Sequence, residues 1–418
     1  MASSQRRRVV LVWTGAGLAL VSLSHPPKKG AVVKIDNPVH RDLLPDVLRG
    51  FALFGILLVN LSYFSHHSSD GIRGEDVAGL GNSIATVAMM ALFQGKFYLL
   101  FSFLFGYSSY YVTKGEKAGR PRFALRSMVL IALGAIHFTL LWHGDILFLY
   151  GVFGLLLLAF MFRSERALRV WAWVLWAFST LLLVSLSLLT WLAEESGVDL
   201  GEFTNGLDEV MRDGTFTDAI EPRLELWVLG ITNGLLLQGG LVFAAFLVGV
   251  LAARKGLLGA NSLQLRTATM LRWGFGLGLP LQLLAAVLYV TNETSGAPSE
   301  AVYLGSLTMG LMTAPLLSMG YLAVIALLVR KNSRAVSWMQ YPGRASLTNY
   351  LLQSVFLSMI FGAWGLGLFQ AVDFWVAMVI AVTVYAVLAG ASALWFQRFR
   401  QGPMEALMAT LTRKNRRP

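Results

Sequence analysis

The chain of 418 residues contains no cysteine. Disulfides, thiol catalysis and thiolate metal sites are excluded with it. Charge is scarce as well: 14% of residues are Asp, Glu, Lys or Arg, against 56% hydrophobic, and mean hydropathy is +0.62. That balance excludes an ordinary soluble domain and describes a chain that crosses a membrane repeatedly. A formal net charge of +11 would suggest nucleic acid in a soluble protein. Here the basic residues sit in short loops between apolar runs, so membrane topology accounts for them and nucleic acid drops out as a partner.

Arg6, Arg7 and Arg8 precede an apolar run from Val9 to Leu23. This has the form of a signal peptide, but about 15 apolar residues are few for a span. Cleavage would leave Lys28, Lys29, Lys34 and Arg41 outside, against the charge pattern of the rest. Residues 1–40 therefore read as an uncleaved extension, interfacial or loosely ordered. Residues 41–402 read as a transmembrane domain, and 403–418 as a basic cytoplasmic tail. Ten apolar spans follow the extension, near 47–64, 84–112, 124–142, 145–162, 168–192, 225–253, 271–290, 303–329, 346–369 and 374–396. If the first starts in the cytoplasm, inner loops and tail hold 22 basic residues and outer loops three: Arg73, Arg212 and Arg223. This predicts an all-α polytopic protein of the cell membrane, with about ten transmembrane helices and both core ends cytoplasmic. The long acidic outer loop 194–223 reads as a solvated segment, or as a lid over an outward-facing site.

Polar residues inside the spans carry what chemistry the sequence offers. Pro45 to Tyr63 reads PDVLRGFALFGILLVNLSY. Asp46 and Arg49 share a helix face at the membrane edge, and Asn60 lies about 16 Å deeper. Lys96 interrupts the second span, too deep for comfortable snorkelling. In LWHGDILFLYG, His143 and Asp145 flank Gly144, and His137 lies one and a half turns back along the third span. A carboxylate that orients an imidazole is a general-base arrangement; a hydrogen-bonded structural hairpin would use the same residues. His66 and His67 stand on the same outer side, yet no metal-ligand spacing appears, so no metal is expected. In the ninth span, Ser346, Asn349, Tyr350 and Gln353 form a polar stripe behind Arg344, facing either other helices or a cavity.

The words D-x-L-R-G-x-A-L-x-G-I-L-L-V-N, GKFYLLFSFLFG, LWHGDILFLYG, GRASLTNYLLQS and RFRQGPMEAL, in this order, resemble the YeiB-like family, domain-of-unknown-function family 418. That family looks related to multipass acyltransferases, among them the lysosomal heparan glucosaminide acetyltransferase and the acyltransferase-3 group. Many acyltransferase-3 members have a histidine near the place where this chain has Asn60, so a base must come from elsewhere.

The resemblance implies transfer of an acyl group, acetyl in the simplest case, from a cytoplasmic acyl-coenzyme A to a hydroxyl or amine on the outer side. In that reading His137 or His143, oriented by Asp145, is the base. Asn60 and Lys96 position the donor carbonyl or its oxyanion. Arg49, Lys96, Arg344, Asn349 and Gln353 bind the donor. The expected partners are the bilayer, the donor and an extracytoplasmic acceptor, with homo-oligomerisation left open. A transporter or flippase is the first alternative, because buried polar groups and Gly/Pro breaks such as Gly278 and Pro280 also suit a translocation path. A sensor or assembly subunit is the second.

Overall fold

The computed structural model describes residues 8–14, 17–23, 42–198, 205–259 and 262–412. It divides into a unit of residues 1–41 and a unit of residues 42–418. In the first, β1 (Arg8–Thr14) and β2 (Gly17–Leu23) pair antiparallel, with Val10 opposite Val21. Lys28, Lys29, Lys34, Arg41, Asp199, Glu202, Arg413, Lys414, Arg416 and Arg417 lie outside the described residues.

The second unit is all-α among its described residues. The first span is α1 (Leu43–Ser65). The second joins α2 (Leu80–Ala88), a π-helical turn at Met89–Phe93 and α3 (Lys96–Val112). Then come α4 (Arg120–Leu140), α5 (Leu147–Phe160) and α6 (Glu165–Glu195). Between the fifth and sixth spans lies the short α7 (Leu207–Asp213). The sixth and seventh spans again contain π-helical turns. One joins α8 (Ile220–Asn233) to α9 (Gly239–Arg254); the other joins α10 (Thr267–Trp273) to α11 (Leu279–Glu293). α12 (Glu300–Lys331) is the eighth span. The short α13 (Ser333–Val336) and α14 (Gln340–Arg344) lead into α15 (Ser346–Phe361), followed by α16 (Phe374–Arg398) and α17 (Pro403–Leu411).

Eight of these spans are long and apolar enough to cross a membrane. The other two of the expected ten, α5 and α15, have 14 and 16 residues. They cover about 21 and 24 Å, less than the ~30 Å hydrocarbon core.

α1 is the element around which the others pack. Val47, Leu48, Ala52, Leu53 and Leu61 on it are wholly buried. Two glycines permit that closeness: a Cβ on Gly50 would fall 2.0 Å from the Met339 carbonyl, and one on Gly55 2.1 Å from the Phe97 ring. In lipid, helices gain little from the hydrophobic effect against one another; close packing and hydrogen bonds hold them. Tyr385 donates to the Gly50 carbonyl at 2.7 Å, and Gln353 Nε2 to the Leu53 carbonyl at 3.2 Å. The expected cytoplasmic tail does not begin as a separate segment. Glu405 on α17 accepts the Leu347 and Thr348 N–H groups at 2.7 and 3.3 Å, so it caps the first turn of α15.

Candidate functional site

The second span breaks where Gly95 turns left-handed, φ +83°, a conformation that costs a glycine little. The break frees backbone carbonyls that lipid cannot satisfy. Lys96 begins the helix after it, is fully buried, and donates from Nζ to the Met90 carbonyl at 2.7 Å. Tyr321 donates to the Leu92 carbonyl at 2.8 Å, and Ser318 to the Lys96 carbonyl at 2.9 Å. The lysine is thus a cap on a broken helix, its Nζ donating to the carbonyl end of the first half. The sequence reading placed it at the donor instead, alongside Arg49. Arg49 pairs with Asp46 at 2.8 Å and with Ser108 at 2.5 Å. Ser108 lies 12 residues from Lys96 along α3, about 18 Å, so the two cations are not brought together.

The polar stripe of α15 divides in three. Asn349 donates to Ser392 at 3.0 Å and to the Ala345 carbonyl at 2.9 Å. Gln353 holds α1. Both therefore serve helix packing. Arg344 at the mouth lies 4.0 Å over the Phe396 ring and donates to the Arg400 carbonyl at 3.3 Å, turned toward α16. Tyr350 alone reaches the α4–α5 hairpin. Its hydroxyl accepts the Ile146 N–H at 3.3 Å, and its ring lies 5.2 Å from that of His137.

At that point the structure joins two of the expected residues. His137 Nδ1 stands 2.9 Å from Asp145 Oδ1, with 1% and 0% of the two side chains exposed. Asp145 Oδ2 accepts the Phe148 N–H at 2.7 Å, capping the first turn of α5. Gly134 makes this approach possible: a Cβ there would fall 2.2 Å from Phe148 N and 2.6 Å from Asp145 Oδ2. The imidazole and carboxylate are close but not aligned for a hydrogen bond. His137 Nε2 is buried and has no partner among the described residues.

His143 is not held by Asp145. Its Nε2 lies 2.7 Å from the Ser68 carbonyl instead. Gly144 leaves room for the Trp142 indole, 2.2 Å from where its Cβ would be. Asn60 is half-buried on α1, with no hydrogen bond to its side chain among the described residues. His66 packs edge-on to Phe374, and His67 faces Asp208 at 3.1 Å. No group of residues suited to a metal ion occurs among the described residues. Tyr350 is the site residue that sequence reasoning left in a stripe; only the register of α15 against the hairpin separates it from Asn349 and Gln353.

The ten apolar helices and the buried dyad define an all-α polytopic membrane protein. Comparison with known proteins then fixes its kin. Residues 252–415 match the family described as "Protein of unknown function (DUF418)". The "Uncharacterized protein YxaH" of Bacillus subtilis (strain 168) is 30% identical over 393 residues, covering 88% of this chain and 93% of that one. The "Uncharacterized protein YeiB" of Escherichia coli (strain K12) is 29% identical over 404 residues, covering 90% and 97%. The chain belongs to the YeiB-like DUF418 family.

Proposed function

We propose that this protein is a membrane-embedded acyltransferase. It moves an acyl group, acetyl in the simplest case, from a cytoplasmic acyl-coenzyme A to a hydroxyl or amine at the outer side of the cell membrane. The observation that carries the reading is His137: a buried imidazole with Asp145 at one nitrogen and no partner among the described residues at the other. A buried polar atom left unpartnered is costly, and a hydrogen bond from the acceptor to Nε2 would satisfy it. In this reading Nε2 takes the acceptor's proton as its oxygen or nitrogen attacks the thioester carbonyl. The coenzyme A thiolate then leaves, and the proton reaches it from the imidazolium. Asp145 holds the tautomer that leaves Nε2 basic. Arg49, at the inner end of α1, is the retained candidate for the donor's phosphates. The ends of the core face the cytoplasm, the side on which the 22 basic residues fall.

The test is transfer of labelled acetyl from acetyl-coenzyme A to membrane or outer-side acceptors, in vesicles holding parent or His137→Ala protein. Transfer should fall by about 10²–10⁴, the usual contribution of a general base. Equal transfer by the two proteins would remove His137 from catalysis.

A second reading rests on another observation. Three spans contain π-helical turns, and the second is fully broken at Gly95. Discontinuous helices are also how transporters build mid-membrane sites. Accumulation of a chemically unchanged solute in vesicles would favour that reading.

A further inference from the structure

The sequence left the acidic outer loop as either a solvated segment or a lid. Its helix α7 does not stand in solvent. Leu207 and Met211 on it are buried, in one apolar cluster with Phe138, Ala219, Leu226 and Phe369. Phe138 adjoins His137 in the chain, so α7 shares an apolar cluster with the helix turn that carries the candidate base. The Met211 carbonyl accepts the Ala363 N–H at 2.9 Å, which ties the last turn of α7 to the loop after α15.

On its polar side, α7 is fastened by one carboxylate. Asp208 Oδ2 lies 3.1 Å from His67 Nδ1, and Oδ1 accepts the Ser68 N–H at 3.0 Å and the Ser68 hydroxyl. The Ser68 carbonyl in turn meets His143 Nε2, at the outer end of the hairpin that holds the dyad. The fastening is therefore continuous from α7 through residues 67–68 to the hairpin.

We propose that α7 is a lid over the outer approach to the His137–Asp145 site, clasped shut by Asp208 against His67 and Ser68. This rests on the reading of His137 as the acceptor-side base, but the lid itself is a statement about access. The acceptor reaches the site when the clasp releases, and water is kept from the thioester when it holds.

The clasp carries a pH dependence. The charged and polar groups facing His67 are Asp208, Asp76 at 3.5 Å, Asp70, His66 and Gln370 at 3.5 Å. The hydrogen bond to Asp208 raises the His67 pKa; burial opposes it, and the charges of Asp208, Asp76 and Asp70 add to the rise. Burial pushes Asp208 up, but the bonds from His67 and Ser68 outweigh it and leave its pKa lowered. The histidine's share of the clasp is complete below its ordinary 6.5 and is lost as pH rises through its raised value. The aspartate's share is complete above its ordinary 3.8 and is lost as pH falls through its lowered value. The lid is held hardest on the acid side of neutrality and loosens toward alkaline pH.

The absence of cysteine makes the test clean. At fixed pH, diethyl pyrocarbonate modification of His137 is followed by mass spectrometry of the full-length protein, with buried His66 as internal reference. Asp208→Asn should speed His137 modification severalfold. The double variant Ser68→Cys, Asp208→Cys should be fast when free, slow when joined by a short bis-methanethiosulfonate linker, and fast again after reduction. Equal rates in parent, Asp208→Asn and linked protein would overturn the lid. If Asp208→Asn fails to fold, the linked and reduced states of the double variant decide alone. No transfer assay is involved, so failure of the acyltransferase reading and failure of the lid are distinguishable.

Discussion

Of the polar groups buried in the apolar interior, Lys96 and His137 differ in one respect. Lys96 spends its ammonium on the Met90 carbonyl, and the broken helix needs that bond. His137 is buried as deeply but leaves Nε2 without a partner among the described residues. Depth in the membrane made the lysine the sharper anomaly in the sequence. Satisfaction of hydrogen bonds reverses the ranking, because a charge deep in a span serves structure whenever a break in the backbone offers it carbonyls.

The comparison breaks first at His137, where loss of transfer by about 10²–10⁴ should come with an unchanged melting temperature. Gly134→Ala should follow closely. Its methyl meets the α5 backbone and Asp145, so the dyad is forced apart; small-to-large changes of this kind typically cost about 1–3 kcal/mol. Transfer should drop at least tenfold, and a parent-like rate would show that the 2.9 Å approach is not needed. Lys96→Met should do the reverse of His137→Ala. It leaves the Met90 carbonyl unpaired, a loss of about 1–3 kcal/mol in thermal unfolding, with transfer kept within a few fold. If Lys96→Met abolishes transfer and leaves stability alone, the lysine returns to the site. The smallest effect is expected from Tyr350→Phe, which keeps the ring on His137 and removes the hydroxyl beside Ile146. A severalfold lower kcat with a shifted pH–rate midpoint is expected, at constant KM; an unmoved midpoint would make Tyr350 packing only.

The architecture was legible because lipid imposes it. An apolar run must become a helix when no water is present to satisfy its backbone, so eight of the ten expected spans appear as membrane-length helices; α5 and α15 fall short, α15 ending at Phe361 where the expectation ran to 369. Their interruptions were less legible. The π-helical turns at Met89–Phe93, Gly234–Gln238 and Gly274–Gly278 leave no periodicity in runs that are apolar all round. Of the candidate site, the pairing of an imidazole with Asp145 was readable from LWHGDILFLYG, but which imidazole was not. Gly144 suggested His143 as the neighbour; the helical register of α4 and the gap at Gly134 select His137. Asn349 and Gln353 were indistinguishable from Tyr350 by spacing, since all three lie on one face and only the partner helices differ. The arginines gave the same difficulty: a cation at a span's end reads alike whether it meets a phosphate or, as with Arg344, a phenylalanine ring.

The shortness of α5 has an electrical consequence. In the proposed topology, with its inner end at the cytoplasmic boundary, a helix of 14 residues would stop about 9 Å short of the outer edge of the hydrocarbon layer. The dyad at its outer end is therefore recessed by roughly a third of the membrane. A charged acceptor descending to it crosses that share of the transmembrane potential. At 100 mV this is about 0.7 kcal/mol per unit charge, a threefold change in occupancy. A neutral acceptor would feel none of it, so the voltage dependence of turnover in polarised vesicles reports the charge of the acceptor before its structure is known.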